Sequence, residues 1–475
     1  LREAVVRAYP LDSSISAAPS AVQMLFEQID ALNGSSAKPP KNIAVLAGEL
    51  SWMDLCRTPF RHSMLGYYPL PQCTLAPWAG DLPEAQLERL AVIREFVQDS
   101  EHAGIELRPL LFPTRPFDAR EVTEFDRRSA TDLERLRKFV VALRGTWVKA
   151  VHEDDGAKGN AGPSGAGEVC ASNVLVIGER PRRRPPRIAV TSFLVDEVSW
   201  AKAAEGIPDL AARRYKRLVR LANAIVKSPH RPDYVVFPEL AIPRRWFLGL
   251  AGLFMKARMS LITGVEYRRL PPEPATRVVN EAYLVLADDR LGYDTWCVIR
   301  QQKGIPAHHE RDALRGKFGL TLAPLAASDR NKPVYRHFGH DFGILICSEL
   351  TDIRFRQQLR GSVDTVFVLS WNPDLESFGS LVDAAALDIH CYMALVNNRR
   401  YGDSRVRCPF KKTWRRDQVR VKGGLDDYFV VTELDIVSLR DFQSYHEPPL
   451  GDDAEFKPTP EGFVISPGRK RTPGG

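Results

Sequence analysis

Tyr234-Val235-Val236-Phe237-Pro238-Glu239-Leu240 is the stretch on which the reading of this chain turns. Its run of aromatic and β-branched residues predicts a short buried strand, Pro238 ends it, and Glu239 stands where strand becomes loop. In layered α/β domains, reactive groups collect at such carboxyl ends. The pattern recurs twice downstream. A strand over Thr295 to Arg300 delivers Lys303 just beyond its end, and one over Phe342 to Ile346 delivers Cys347. A cysteine attacks only as thiolate, so a neighbouring ammonium and a carboxylate that takes the proton form a chemically sensible trio. Taken singly, each has a plainer reading: Cys347 as a small core residue, Lys303 as a solvated charge, Glu239 as a cap.

The surroundings are regular. A strand is predicted over Ile188 to Val195, then an amphipathic helix over Asp209 to Lys227 with Ala211, Tyr215, Leu218, Ala222 and Ile225 on one face, then strands at Leu261 to Glu266 and Ala282 to Ala287. Alternating strands and helices imply an α/β layered domain.

With its neighbouring words, the trio resembles the nitrilase, or carbon-nitrogen hydrolase, superfamily, whose Glu, Lys and Cys come in this chain order. The match runs through Phe237-Pro238-Glu239-Leu240, Lys303, and Gly343-Ile344-Leu345-Ile346-Cys347-Ser348-Glu349. Gly264-Val265-Glu266, Asn280 to Gly292, Leu369-Ser370-Trp371-Asn372, the helix Leu381 to His390, Tyr392 to Asn398 and Val430 to Asp435 fall in order around it. The resemblance covers residues 187 to 442. It implies an αββα sandwich, Cys347 attacking a carbonyl or nitrile carbon, Glu239 as general base, and Lys303 stabilising the tetrahedral intermediate. It also implies a backbone amide after Cys347 for the oxyanion. Glu310 is the candidate for the family's second glutamate, with a surface acid beside His308 and His309 as its bland reading. Trp371, Asn372 and Ser348 are the candidates for substrate contact, with core packing and strand-end capping as the bland readings of Trp371 and Asn372. Two words depart from the family: Gly304-Ile305-Pro306 follows Lys303 where a His-Leu pair is common, and Ser348 follows Cys347 where an aromatic residue is common. Both put the substrate in question. The implied partner is a small amide or nitrile, no cofactor is needed, and a homo-oligomer through the sheets or helices is expected.

At 475 residues, 44% hydrophobic and 26% charged, the chain has room for more than one globular domain. Its seven scattered cysteines form no CxxC pair, which fits neither a disulfide framework nor a zinc ribbon and points to a cytoplasmic setting. No apolar run is long enough to cross a bilayer. The chain opens at Leu1 without an initiator Met, so an upstream region is expected. Residues 1–150 carry no nameable motif and are read as a smaller α/β or mainly helical region, with a helix around Ala21 to Leu32, strands over Ile43 to Ala47 and near Ile105 to Phe112, and a charged helix from Ala130 to about Val151. Residues 151–187 are read as a Gly-rich then Arg/Pro-rich linker with an edge strand over Asn173 to Ile177, residues 188–442 as the hydrolase-like domain, and 443–475 as a tail.

Between Arg399 and Lys422 lie ten basic residues. Arg407, Lys411, Lys412, Arg415 and Arg416 with Trp414 have the composition of a groove for RNA or DNA, and equally that of a solvated loop or oligomer contact. The Arg180 to Arg187 cluster has the same two readings. This basic character supports an alternative function, a nitrilase-fold assembly or nucleic-acid-associated module of a larger antiviral-defence reverse transcriptase protein. His308-His309-Glu310 and the pair His337 and His340 lack the ligand count of a zinc site, so no metal is expected.

Overall fold

The computed structural model describes residues 119–144, 174–270, 275–292, 294–325, 331–445, 451 and 453–471. The chain divides into two compact units, Leu1–Glu153 and Asp154–Gly475. In the first, helices α1 (Ala119–Phe125) and α2 (Leu133–Arg144) flank a 3-10 turn, Arg127–Ala130. Asp126 caps that turn by accepting from Ser129 N at 3.1 Å and binds Arg135 Nε at 2.6 Å. The helix expected over 130–151 is thus present as α2. The expected strands near 43–47 and 105–112, the helix near 21–32 and the Gly-rich segment 156–167 lie outside the described residues.

The second unit is built on two sheets. One has the order β1-β8-β9-β10-β11-β12-β13, from β1 (Val174–Ile177), β8 (Val334–His337), β9 (His340–Ile346), β10 (Thr365–Ser370), β11 (Tyr392–Asn397), β12 (Ser404–Arg407) and β13 (Asp417–Val421). The other has the order β14-β2-β3-β4-β5-β6, from β14 (Tyr428–Glu433), β2 (Arg187–Ser192), β3 (Tyr234–Val236), β4 (Ser260–Leu270), β5 (Arg277–Asp288) and β6 (Thr295–Gln302), with β7 (Thr321–Leu322) beside β5. At the heart of each sheet is a parallel trio, β9-β10-β11 and β2-β3-β4. Parallel strands buried on both faces read as unbroken apolar runs, which is why these segments stood out in the sequence.

The sheets pack face to face through aromatic rings. Tyr234 lies 5.7 Å from Phe342 and 6.1 Å from Phe367, and its hydroxyl meets His337 Nδ1 at 2.7 Å. Gln301 links the layers by donating to Ile344 O at 2.8 Å while accepting from the Tyr335 hydroxyl at 2.9 Å. His337 and His340 therefore belong to the inter-sheet core, where burial drives both imidazoles to the neutral form. Helices α4 (Ala212–Val226) and α5 (Arg244–Lys256) contact β14 and β4, and α8 (Leu375–Ala385) contacts β11. This is the αββα layering expected for residues 188–442.

Three details depart from the sequence reading. In α4, Leu218, Leu221, Ala222 and Ile225 are buried, but Ala211 is exposed and Tyr215 turns outward, its ring edge-on to Trp246 at 5.1 Å. Arg214 takes the inward place because its guanidinium meets Glu266 at 2.5 Å and Ala241 O at 3.0 Å, a paired charge outcompeting an apolar ring. Second, the edge strand read over Asn173 to Ile177 is present as β1, paired in parallel with β8, so this part of the segment read as linker belongs to the sheet. Third, the segment read as a tail is packed into the unit: α9 (Ile436–Tyr445) runs into it, Phe456 stacks on Phe410 at 4.9 Å, and Arg469 is wholly buried against Asp364 at 2.8 Å. No described helix is long and apolar enough to cross a membrane.

Candidate active site

Glu239 follows β3 by three residues and is fixed from below. Gly264 N donates to Pro238 O at 3.2 Å, and a Cβ on Gly264 would lie 2.5 Å from both Glu239 Cα and Leu240 N. Only glycine lets the β4 backbone come that close. Leu240, the next residue, sits at a φ of 54°, in the left-handed region that non-glycine residues rarely adopt.

Lys303 is the first residue beyond β6, and its N–H donates to Asn280 O at 2.8 Å, so the β5-β6 pairing sets its position. Its Nζ lies 2.8 Å from Glu239 Oε1 and 2.6 Å from Glu310 Oε2. Asn280 Nδ2 donates to the same two carboxylates, at 2.8 Å to Glu239 and 3.1 Å to Glu310. Glu310 comes from the first turn of α6 (His308–Phe318), where it also accepts from Ala307 N at 3.2 Å and from the Tyr267 hydroxyl at 2.7 Å. Trp200 Nε1 donates to that hydroxyl at 3.1 Å. The second oxygen of Glu239 accepts from Trp371 N at 3.1 Å.

Cys347 ends β9 at a φ of 50°, inside the left-handed region that non-glycine residues avoid, and opens a 3-10 turn over Cys347–Thr351. A reactive side chain held on a strained strand-to-helix turn projects from the sheet. Ser370, at the end of β10, donates its hydroxyl to Cys347 Sγ at 3.6 Å. Beneath the turn, Glu349 is wholly buried. Its Oε1 accepts from Gly304 N at 2.7 Å and pairs with Lys332 Nζ at 2.5 Å, while Oε2 accepts from Ile346 N at 2.9 Å. One carboxylate therefore ties the residue after Lys303 to the residue before Cys347.

The electrostatics separate the two glutamates. Burial, joined by the charge of Glu310, pushes Glu239 above the ordinary carboxylate range despite Lys303. Glu310 meets the same burial, yet Lys303, Tyr267 and Asn280 outweigh it and hold this carboxyl below that range. Burial also opposes the Lys303 charge, but two carboxylates within 2.8 Å keep the ammonium well above the usual lysine range. For Cys347, burial and then the Glu239 charge push the thiol up to about 12, against the pull of Lys303.

The two glutamates, Lys303 and Cys347 face one cavity of about 620 Å³. Glu239, Lys303, Glu310 and Cys347 form its floor, and Trp200, Tyr267 and Trp371 its walls, with the two indoles 5.9 Å apart.

In structure the chain is similar to amidases of the nitrilase superfamily. One is a variant of an amidase from Nesterenkonia sp. AN1 carrying the acetamide moiety of fluoroacetamide covalently at its active-site cysteine; it is 16% identical, covers 55% of this chain and 94% of its own, and has a TM-score of 0.39. A second variant of the Nesterenkonia AN1 amidase, described as from the nitrilase superfamily, is 16% identical over 56% of this chain and 96% of its own, with a TM-score of 0.39. A third, in complex with butyramide, shows the same identity of 16%, coverages of 56% and 96% and TM-score of 0.39. No protein-family model and no curated protein matches the chain.

The residues expected from sequence divide at this cavity. Glu239, Lys303, Cys347, Glu310 and Trp371 come together in it. Ser348 and Asn372 do not line it. Ser348 donates to Ile305 O at 2.6 Å, holding the loop after Lys303, and Asn372 caps α8 through Asp374, bonding its carbonyl at 2.8 Å and its N–H at 3.2 Å. Asn280, Tyr267, Trp200, Ser370 and the pair Glu349 and Lys332 were not singled out as site residues. The signal for Asn280 was its place opposite Lys303 in the hairpin. His309 lies at the cavity mouth and His308 pairs with Arg311, and no metal-binding cluster occurs among the described residues.

The basic segment is largely spent on internal pairing. Arg407 meets Asp383 and Asp417, each at 2.7 Å, Arg415 meets Glu455 at 2.8 Å, Arg416 donates to Phe410 O at 2.9 Å, and Lys411 to Gly451 O at 2.9 Å. Lys412 precedes the short helix that carries Trp414, the one strongly exposed ring of the segment at 77%.

Proposed function

We propose that the protein is a thiol-dependent carbon-nitrogen hydrolase acting on a small, non-peptide amide. The observation that carries this reading is the Lys303 ammonium clamped between Glu239 and Glu310 on the floor of the cavity into which strained Cys347 opens.

In the resting site the thiol holds its proton, since its pKa lies near 12. On attack, the Cys347 Sγ–carbon bond forms as Glu239 takes the thiol proton, and the carbonyl electron pair moves onto oxygen, where Lys303 balances the charge. Collapse breaks the carbon-nitrogen bond while Glu239 returns the proton to the leaving amine, giving the free amine and a thioester at Cys347. Water then adds with loss of a proton to Glu239, and the second collapse expels the thiol, reprotonated by Glu239, with release of the carboxylic acid. Glu310 keeps its charge throughout and fixes Lys303. Trp371 Nε1 is buried with no hydrogen-bond partner among the described residues, which makes it the donor for a substrate acceptor between the indole walls.

The test uses p-nitrophenyl acetate, followed by intact-protein mass and peptide mapping. An acetyl adduct on Cys347, absent in Cys347→Ala and in Glu239→Gln, is the expected result. Acetylation that spares Cys347, or that proceeds equally without Glu239, would overturn the assignment.

A further inference from the structure

A second cavity, of about 360 Å³, lies at the other end of the strands, by the β8-β9 turn and the start of α9. Its cationic lining is Arg182, Arg183, Arg184, Arg440, Lys470 and Arg471, and no carboxylate among the described residues lines it. The larger basic cavity beside α4 differs, because Asp426 and Asp427 sit among its cations.

Four of the guanidiniums are held from behind by carboxylates. Asp233 takes Arg182 at 2.6 Å and Arg184 at 2.8 Å, Asp364 takes Arg440, and Asp441 takes Arg471 at 2.7 Å. Asp364 also serves buried Arg469 at 2.8 Å, and Asp341 serves Arg336 at 2.8 Å and Arg440 at 3.5 Å. Eight cations are thus set against four carboxylates, and exposed Arg183 and Lys470 have no ion partner among the described residues. Rigid guanidiniums with excess charge and unspent donors are the chemistry of oxyanion recognition. Phe338, Pro186 and Ile436 give the cavity an apolar side.

We infer that this cavity binds a small, multiply charged oxyanion of the phosphate class, either free pyrophosphate or the phosphate end of a nucleotide. Its position away from Cys347 makes it a site for an effector and separates it from the proposed hydrolysis.

Isothermal titration of the full chain with inorganic pyrophosphate, at fixed ionic strength, tests the site. One-to-one binding is expected, weakened at least about tenfold by the double substitution Arg183→Glu and Lys470→Glu, since each removes a charge-assisted contact. If that variant folds poorly, Arg183→Gln with Lys470→Gln is expected to weaken binding in the same direction. A parallel titration with adenosine diphosphate separates the sources: tighter binding assigns a nucleotide, and equal binding the free anion. Pyrophosphate heats no larger than those of chloride at matched ionic strength, affinity indifferent to both variants, or binding of single-stranded RNA without binding of pyrophosphate would each overturn the inference.

Discussion

Glu239 and Glu310 lie on either side of one ammonium, yet they are not interchangeable. Glu310 spends its oxygens on Lys303, Tyr267, Asn280 and a backbone N–H, whereas Glu239 is left with the raised affinity for protons that a base needs. Glu239→Gln is expected to lower turnover by about 10²- to 10⁴-fold, the usual range for losing a general base. Because the base works as carboxylate, the acid limb of the pH-rate profile should lie above the ordinary glutamate value of about 4.3. A wild-type limb at or below that value would contradict the assignment. Gly264→Ala tests the seat of Glu239. A methyl 2.5 Å from two backbone atoms forces β3 and β4 apart, with an expected loss of about 1 to 3 kcal/mol in denaturant unfolding and a larger proportional loss of activity.

At the scale of elements, the strand ends bearing Glu239 and Cys347 were legible because both are local: a buried apolar run, then a reactive residue at the following turn. Lys303 needed the hairpin as well, and the hairpin hid Asn280, whose amide reaches both carboxylates only once the β5-β6 register is formed. Tyr267 and Trp200 were illegible for the same reason, since Tyr267 reaches Glu310 from β4 and Trp200, on a separate helix, reaches Tyr267. Ser348 and Asn372 lie outside the cavity lining because small polar residues beside a site bond to nearby backbone as readily as to substrate. Glu349 was quoted in its motif without a task. Its oxygens hold the loop after Lys303 and the end of β9 together, so Glu349→Gln, which strands the Lys332 charge in the core, should cost about 3 to 5 kcal/mol. Adding Lys332→Met should restore much of that stability without restoring turnover. Recovery of both would assign Glu349 a purely structural role.

For the whole second unit, the decisive pairing is that of Asp364 with Arg440 and Arg469. Burial alone would raise this carboxyl, but the two arginines outweigh it and hold it far below its ordinary value. A depressed carboxyl stabilises the fold above its unfolded value, near pH 4, and that contribution is lost as pH falls through the folded value. Thermal midpoints should therefore decline below about pH 4, and less steeply in Asp364→Asn, which itself should cost about 3 to 5 kcal/mol at neutral pH by leaving Arg469 buried without its counter-charge. Neither the pairing nor the packing of the tail was legible in the sequence, because 105 residues separate Asp364 from Arg469. That interval also has a meaning in time. At roughly 5 to 20 residues per second of synthesis, Asp364 emerges about 5 to 20 s before the arginine that completes its burial. On the ribosome the sheet centred on β9 and β10 thus waits with an unfinished charge at its base until Arg469 has been made and can reach it.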